Sequence, residues 1–305
     1  MIPDPHTPTR EKAAAEVAVE LSSGIADDSS KSGSVCQAVG PNYVEGMTPM
    51  LIGDLVSDPR RHIALQSVHN FRDLGGYPAS GGKQTKWRTV FRADGLYRLD
   101  EHDLVQVREL QLRSVIDLRT ERERTERGVF PVQHLPLQTH HFSIVDVTWG
   151  DGDTPQIEDA VEFLVWGYRE MLEIGALRFA DALELLSQQD VLPAVFHCAA
   201  GKDRTGILAA LLLASIGVSD DVICADYGLT QQAMMRTIAW AKVHRPEMAR
   251  RYADINPVFL ATDPKAMEII LADLHAKYGS VSEYVKHIGV SDETIVCLKH
   301  SLLEI

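Results

Sequence analysis

The sequence contains few cysteines, and they form no cluster. Four cysteines are scattered over the 305 residues, and no Cys-x-x-Cys pair occurs among Cys36, Cys198, Cys224 and Cys297. Structural zinc sites and disulfide frameworks both depend on characteristic cysteine spacings, so this distribution argues against either. A cysteine that acts as a thiolate in this chain would need reducing surroundings or a protected position.

The chain also lacks an excess of basic residues. It has 30 lysines and arginines and 43 aspartates and glutamates, which gives a formal net charge of -13. Domains that bind nucleic acid are usually basic, so nucleic acid is not an expected partner. The acidic balance does not argue against anionic substrates, because a few cations focused in one cleft can dominate the local potential.

No secretory signal or membrane span is visible in the sequence. The N-terminal residues Met1–His6 lack the basic start and the apolar stretch of a signal peptide. The longest apolar run, around residues 206–218, is too short to cross a bilayer and is typical of a core helix. We therefore expect a cytoplasmic protein. Secretion by a route that needs no signal peptide is an open alternative. Nothing in the sequence indicates an oligomeric state.

Two regions of the chain differ in composition. Residues 1–55 are rich in Ser, Gly and Asp apart from a helical pattern over residues 10–21, and we expect a partly disordered N-terminal extension. From residue 56 to residue 305, the patterns indicate an α/β domain with a mainly parallel central sheet flanked by helices and a helical C-terminal part. The predicted strands are 87–92, 112–118 and 191–198, and the predicted helices are 101–110, 160–187, 205–217, 219–245, 264–278 and 291–304.

One loop carries the strongest chemical signal. Residues 197–206 read His-Cys-Ala-Ala-Gly-Lys-Asp-Arg-Thr-Gly and lie between a strand pattern and a long apolar helix pattern. A loop that opens a helix directs several backbone N–H groups and the positive end of the helix dipole at one point, which binds a phosphate-sized anion. A thiol at the start of such a loop loses its proton easily, which predicts Cys198 as a nucleophile. Arg204 offers a planar fork of donors for two phosphate oxygens.

This loop resembles the signature loop of the cysteine-based protein tyrosine phosphatases. Its Ala-Gly-Lys-Asp-Arg-Thr-Gly stretch is similar, more narrowly, to the atypical bacterial tyrosine phosphatases that also act on phosphoinositides. Other segments resemble the same group in the same order, and these are Asn70–Tyr77, Phe91–Arg92 followed by Gly95–Leu96, and Val115–Arg119. In the first of them, Arg72 and Asp73 are expected to form a structural ion pair.

The resemblance implies a phosphomonoester hydrolase that needs no metal or cofactor and works through a cysteinyl-phosphate. Its implied partners are phosphotyrosine proteins, phosphoinositides or both. In this interpretation Cys198 is the nucleophile, Arg204 holds the phosphoryl oxygens, and Thr205 donates its hydroxyl to the thiolate. The substrate-binding set is His197, Ala199, Ala200, Gly201, Lys202 and Gly206. Within it, His197 fixes the loop, and Lys202 adds a cation that suits a substrate with several phosphates.

The general acid is the role with the most candidates. A carboxyl group must lie close to the leaving oxygen in order to protonate it. Asp203 lies in the loop itself and is the first candidate, because the resembled group is thought to use that position. Asp117 ends a neighbouring strand and is the second candidate. Asp151, in a Trp-Gly-Asp turn, is the third.

The C-terminal helices suggest a cover over the loop. Residues 230–275 mix apolar positions with Lys242, Arg245, Arg250 and Arg251. Such a segment is typical of a helical lid that shields a reactive thiolate. It is equally compatible with a basic surface that contacts a membrane of anionic lipids, or with ordinary helix packing. Peripheral membrane contact is therefore one of three interpretations of this segment.

Two other function classes stay open. A rhodanese-like sulfurtransferase shares the Cys-x5-Arg spacing, but its cysteine forms a persulfide and its loop has no need of Thr205. A non-catalytic phosphate-binding module would not need both Cys198 and Arg204 intact. An ATP-binding P-loop is set aside, because Lys202 is followed by Asp203 where that motif has Ser or Thr.

Overall fold

The computed structural model describes residues 49–146 and 155–305. The strands of the first range are β1 (Arg72–Asp73), β2 (Pro78–Ala79), β3 (Lys83–Thr85), β4 (Val90–Ala93), β5 (Ser114–Asp117) and β6 (Gln138–His141), and its helices are α1 (Pro49–Val56), α2 (Glu101–Glu109) and α3 (Glu121–Arg127). The strands of the second range are β7 (Ala194–His197) and β8 (Leu303–Glu304), and its helices are α4 (Ala160–Ile174), α5 (Ala176–Leu186), α6 (Asp203–Ser215), α7 (Asp220–His244), α8 (Pro246–Asp254), α9 (Pro264–Tyr278), α10 (Val281–His287) and α11 (Asp292–Leu302).

A five-stranded sheet forms the middle of the molecule, with strand order β1-β4-β7-β5-β6. Strands β4, β7, β5 and β6 run parallel, and β1 pairs antiparallel with β4. A smaller antiparallel sheet joins β2, β3 and β8. The predicted α/β class, with a mainly parallel sheet and a helical C-terminal part, is confirmed. Because β7 is the central strand, the loop that follows it opens between the ends of β4 and β5, where open α/β sheets bind their ligands.

Alternating side chains of the central strands bury both faces of the sheet. Phe91 and Val115 pack with apolar residues of α2 on one face. Val90 and Ile116, their chain neighbours, pack with α4, α5 and α6 on the other face. Successive residues of a strand point to opposite faces, so two covered faces explain why these strands are apolar at every position. Helix α6 is buried along nearly its whole length, as the continuous apolar run predicted.

The helix predicted over residues 160–187 is interrupted at Gly175. Two separate helices form instead: α4 ends just before Gly175, and α5 begins just after it. A Cβ at Gly175 would lie 2.6 Å from both Ile144 Cγ2 and the Met171 carbonyl oxygen. The close approach of the Ile144 segment therefore requires glycine at the break, and glycine also weakens a continuous helix.

Several elements differ from the sequence predictions. The three predicted strands are each shorter, as β4, β5 and β7, and the C-terminal helices α8 and α10 were not predicted. The helix predicted to end at residue 304 stops at Leu302, because Leu303 and Glu304 pair with β3 as a strand. Strands β1 and β2 carry two residues each, too few for a period-two pattern to be recognised, and the four residues of β6 are all polar, so no apolar alternation marks it.

Helix α1 crosses the predicted boundary between the extension and the domain. Leu55 and Val56 pack against the main apolar cluster, and the Arg61 guanidinium donates to the Leu55 carbonyl at 3.3 Å. The last turn of α1 therefore packs against the domain, while the domain limits stay a prediction. The helix predicted over residues 10–21 lies outside the described residues. Across residues 49–146 and 155–305, no helix is both long enough and apolar enough to cross a membrane.

Candidate active site

The loop between β7 and α6 lies at the carboxyl end of the central sheet. Strand β7 ends at His197 and α6 begins at Asp203. Gly201 has a φ of +65°, and a Cβ at this position would lie 2.5 Å from the carbonyl oxygen of Ala93 at the end of β4. Only glycine fits here, because both the left-handed backbone and the contact with β4 exclude a side chain.

The side chains of Asn70, just before β1, and of Arg92 on β4 hold the loop by its carbonyl groups. Asn70 Nδ2 donates to the carbonyl oxygens of Ala200 and Gly201, both at 3.0 Å. Arg92 donates to the Gly201 carbonyl at 2.9 Å. Since the C=O and N–H of a trans peptide point in opposite directions, the N–H groups of Gly201 and Lys202 are turned away from these donors. The loop is thus fixed in an orientation that leaves its N–H groups available to an anion.

A buried ionic network lies behind these donors. Asp226 of α7 accepts hydrogen bonds from Arg72 at 2.9 Å, from Arg92 at 2.7 Å and from the Tyr77 hydroxyl at 2.8 Å. Burial alone would raise the pKa of Asp226, but the two guanidinium groups outweigh it and hold the pKa well below its usual range. The predicted ion pair between Arg72 and Asp73 is wrong, because the Asp73 carboxylate accepts backbone N–H groups instead.

Cys198 and Arg204 lie buried at the two ends of the loop. Only 1% of Cys198 is exposed. The Arg204 guanidinium donates two hydrogen bonds to the Glu123 carboxylate, with Nη1–Oε2 and Nη2–Oε1 distances of 2.5 and 3.0 Å. Each Nη nitrogen carries a second N–H, so donors remain for a phosphate. Glu123 was not among the predicted site residues, and it positions Arg204.

Glu123 is itself fixed by the helix that carries it. In the capping box of α3, Glu123 Oε2 accepts the Thr120 N–H at 2.9 Å. Burial alone would raise the pKa of Glu123, but Arg204 and the Thr120 N–H outweigh it and lower the pKa to about 2. The carboxylate is therefore ionised at neutral pH and holds the guanidinium in one orientation. The Thr-x-x-Glu spacing is visible in the sequence as a helix start, but it does not indicate the contact with Arg204.

Asp117 lies at the end of β5 and is held by cations. It accepts hydrogen bonds from Arg119 Nε at 2.9 Å and Nη2 at 2.6 Å, and His197 Nε2 lies 3.8 Å away. Burial alone would raise the pKa of Asp117, but His197 and Arg119 outweigh it and hold the pKa well below its usual range. The His197 ring is fully buried, and its Nδ1 lies 3.1 Å from the Cys198 carbonyl oxygen, which fixes the start of the loop.

Asp203 and Lys202 have separate hydrogen-bond partners. Asp203 Oδ1 accepts a hydrogen bond from the Tyr168 hydroxyl at 2.8 Å. Lys202 is 2% exposed, and its Nζ donates to the backbone carbonyls of Phe259 and Ala261, both at 2.8 Å. In this conformation the Lys202 ammonium therefore binds the segment after α8. Its predicted contact with substrate phosphate stays a prediction.

The remaining predicted residues fall into three groups. Ala199 and Ala200 line the cavity described below. Thr205 and Gly206 are buried in the first turn of α6, and Thr205 Oγ1 has no hydrogen-bond partner in the described part of the chain. The hydrogen bond from Thr205 to the thiolate stays a prediction. Asp151 lies outside the described residues.

A cavity of about 880 Å³ separates the loop from α8. Ala199, Ala200 and Asp203 line it from the loop, and the 3-10 turn Pro257–Leu260 lines it together with α8. Its arginines are Arg98, Arg127, Arg245, Arg250 and Arg251. This concentration of positive charge in an acidic protein creates a local attraction for anions. Neither Arg98 nor Arg127 was predicted, since no spacing in the sequence connects them to the loop.

Comparisons with known proteins identify the family of this chain. The profile described as the tyrosine phosphatase family matches residues 63–304. A Cupriavidus necator protein, provisionally named as a tyrosine-protein phosphatase, is 28% identical over 243 residues, which cover 74% of this chain and 84% of the relative. The triple specificity protein phosphatase PtpB of Mycobacterium tuberculosis is 26% identical over 277 residues, which cover 78% of this chain and 98% of PtpB.

Two further matches were found. A tyrosine-protein phosphatase of Nostoc commune is 26% identical over 220 residues, which cover 68% of this chain and 72% of that protein. Among solved structures, TpbA of P. aeruginosa in complex with pTyr aligns with 66% of this chain and 99% of its own, at 14% identity and a TM-score of 0.29, a likeness too low to carry an argument. The family profile covers most of the chain, including the loop and the strands that hold it. The chain therefore belongs to the tyrosine phosphatase family.

Proposed function

We propose that this phosphatase hydrolyses phosphomonoesters through a covalent cysteinyl-phosphate on Cys198. The observation that carries the proposal is the loop, which combines a buried cysteine, oriented N–H groups and the Arg204 fork at one point. This combination supplies a nucleophile and an anion site together. Neither a sulfurtransferase nor a phosphate-binding module accounts for an aspartate that is held at the same loop.

In the first step, the Cys198 thiolate attacks phosphorus, so that an S–P bond forms while the P–O bond to the leaving group breaks. Negative charge on the phosphoryl oxygens is stabilised by the N–H groups of the loop and by Arg204. Asp203 transfers its proton to the leaving oxygen. The loop and Arg204 supply the positive groups that this charge requires, so the proposed step needs no metal ion.

In the second step, water attacks the phosphorus of the cysteinyl-phosphate. The Asp203 carboxylate accepts the proton of that water, the S–P bond breaks, and the Cys198 thiolate leaves with its electron pair. The Thr205 hydroxyl, buried and without a partner among the described residues, is the donor proposed to stabilise the departing thiolate. One water is consumed, and inorganic phosphate and an alcohol or phenol are released.

The contacts of the two aspartates support Asp203, rather than Asp117, as the general acid. It lines the cavity and has one carboxylate oxygen bound by Tyr168. Asp117 is bound by Arg119 through both carboxylate oxygens, and the resulting low pKa leaves it ionised, without a proton to donate. A positioning role through His197 and Arg119 therefore suits Asp117, whereas a proton transfer suits Asp203.

The covalent intermediate can be trapped directly. We expect that rapid acid quenching of the protein with a radiolabelled phosphotyrosine peptide leaves label on the peptide that contains Cys198, with the same yield in the presence of EDTA. Mass spectrometry of the digested protein locates the labelled residue. Phosphate release without any labelled enzyme, or loss of release with EDTA, would contradict the proposed route. A persulfide on Cys198 after incubation with thiosulfate would support sulfur transfer instead.

The charge of the cavity supports substrates with more than one phosphate. Its volume of about 880 Å³ is ample for an inositol ring or a tyrosine side chain. A phosphotyrosine needs the loop and Arg204 alone. Arg98 is held by an ion pair with Asp94, so Arg245, Arg250 and Arg251 are cavity arginines that can serve a further phosphate. The substrate range therefore extends to phosphoinositides, and the name of the relative PtpB, a triple specificity phosphatase, supports a range wider than phosphotyrosine.

Removing two cavity arginines will separate the two substrate classes. We expect Arg250→Gln with Arg251→Gln to raise KM for a phosphoinositide on the order of tenfold, and KM for a phosphotyrosine peptide less than twofold. Soluble short-chain phosphoinositides should be used, so that membrane binding does not enter the measurement. Arg178→Gln, at an exposed arginine of α5 outside the cavity, is the matched control. Equal changes for both substrates would argue against a phosphoinositide site in this cavity.

A further inference from the structure

Two buried tyrosines, Tyr168 and Tyr227, are connected to Asp203 by hydrogen bonds in series. Tyr168 of α4 donates its hydroxyl proton to Asp203 Oδ1 at 2.8 Å. The hydroxyl of Tyr227 on α7 lies 2.5 Å from the Tyr168 hydroxyl. Tyr168 is 0% exposed and Tyr227 is 1% exposed. The proposed reaction assigns no role to either tyrosine.

The number of hydroxyl protons fixes the direction of the two hydrogen bonds that connect Tyr227, Tyr168 and Asp203. A phenol has one proton, and Tyr168 gives it to Asp203, so Tyr227 must be the donor to the Tyr168 oxygen. Hydrogen bonds in series polarise one another in the same direction, so the second hydroxyl strengthens the first bond. Lys202 Nζ also lies 3.4 Å from the same oxygen, Asp203 Oδ1. Oδ1 therefore accepts the Tyr168 hydrogen bond and also lies next to the Lys202 charge.

We infer that Tyr168, supported by Tyr227, is a positioning residue that directs the catalytic proton of Asp203 to Oδ2. An oxygen that already accepts a hydrogen bond from Tyr168 and faces the Lys202 ammonium is a poor place for a proton. The protonated carboxyl then carries its hydrogen on Oδ2, and Asp203 lines the substrate cavity. This inference rests on the proposed function of Asp203 as general acid.

The surroundings keep both tyrosines in the donor form. Burial raises the pKa of Tyr168 well above its usual value, and the nearby Asp203 charge raises it further. Burial likewise raises the pKa of Tyr227 far above the physiological range, with Asp203 adding to the effect. Neither hydroxyl loses its proton under physiological conditions, so the direction of the hydrogen-bond chain does not change with pH.

The test is the dependence of rate on the leaving group. An alkyl phosphate needs a proton at its leaving oxygen, whereas p-nitrophenolate leaves without one. We expect Tyr168→Phe to lower kcat/KM for an alkyl phosphate about tenfold, and for p-nitrophenyl phosphate less than twofold. Asp203→Asn should show the same selectivity with a larger loss. In the Asp203→Asn background, Tyr168→Phe should change neither rate further.

The matched control is Tyr284→Phe. Tyr284 is also fully buried, and its hydroxyl donates to the Leu172 carbonyl at 2.7 Å, outside the cavity. This variant should lower the melting temperature and leave the ratio of alkyl to aryl kcat/KM unchanged. If Asp203→Asn lowers the ratio of alkyl to aryl kcat/KM but Tyr168→Phe leaves it unchanged, the inference about Tyr168 is wrong, while Asp203 keeps its proposed role. If Asp203→Asn is not selective either, the general-acid assignment fails with it, while the label on Cys198 tests the covalent route separately.

Discussion

Replacing Cys198 with serine is expected to lower phosphate release by about four orders of magnitude or more, on phosphotyrosine and phosphoinositide substrates alike. A serine hydroxyl has nearly the volume of the thiol, but it is a weak nucleophile because it stays protonated at neutral pH. The N–H groups of the loop and Arg204 are unchanged. The variant should therefore still bind a phosphotyrosine peptide, with a Kd within about threefold of the wild-type value.

Phosphate release and calorimetric titration of the same two proteins measure both expectations. Cys297→Ser is the matched control, because Cys297 is an exposed free thiol on α11 and should be replaceable at full activity. The melting temperatures of both variants should match that of the wild type, which excludes unfolding as the cause of any loss. If Cys198→Ser retains more than about a hundredth of the wild-type rate, Cys198 is not the nucleophile.

The residues that the sequence could place together are those connected by local spacing. Cys198, Gly201 and Arg204 belong to one loop, and the apolar patterns on either side predict the strand and the helix that form it. Helix α6 and the mainly parallel sheet were predicted for the same reason. An apolar run and an alternating order of elements are properties of the chain that do not depend on distant partners.

Residues that act through distant contacts could not be predicted in this way. Glu123 binds Arg204 across 81 positions, and Tyr168 binds Asp203 across 35. Asp226 joins Arg72 and Arg92 across more than 130 positions. No spacing connects such pairs in one sequence, because their contact is created by the order of strands in the sheet and by helix packing.

The prediction of an ion pair between Arg72 and Asp73 failed for a geometric reason. Both residues form β1, and consecutive side chains of a strand point to opposite faces of the sheet. Arg72 therefore reaches Asp226 on one side, while Asp73 accepts the backbone N–H groups of Gly75 and Arg88. Opposite charges pair on a helix when they are three or four residues apart, whereas adjacent residues of a strand point to opposite faces and do not meet.

Replacing Arg204 with lysine is expected to lower kcat/KM by about three orders of magnitude for every phosphomonoester. Lysine keeps the charge but loses the planar fork, so it cannot bind Glu123 through two nitrogens and a phosphate at the same time. Steady-state kinetics with p-nitrophenyl phosphate and a phosphotyrosine peptide measure the loss. Arg178→Lys, at an exposed arginine that pairs with Asp181 on α5, should retain the wild-type rate.

Glu123→Gln tests whether the Glu123 carboxylate contributes to turnover as well as to stability. Glutamine keeps the shape of the side chain and one acceptor for Arg204, but it removes the buried negative charge. We expect a loss of kcat/KM of about tenfold and a lower free energy of unfolding by about 3 kcal/mol, because the buried guanidinium loses its counter-charge. A variant that unfolds more easily but turns over at the wild-type rate would limit Glu123 to capping α3. A loss of rate at temperatures far below the melting transition would instead mean that the Glu123 carboxylate also prepares Arg204 to bind the phosphate.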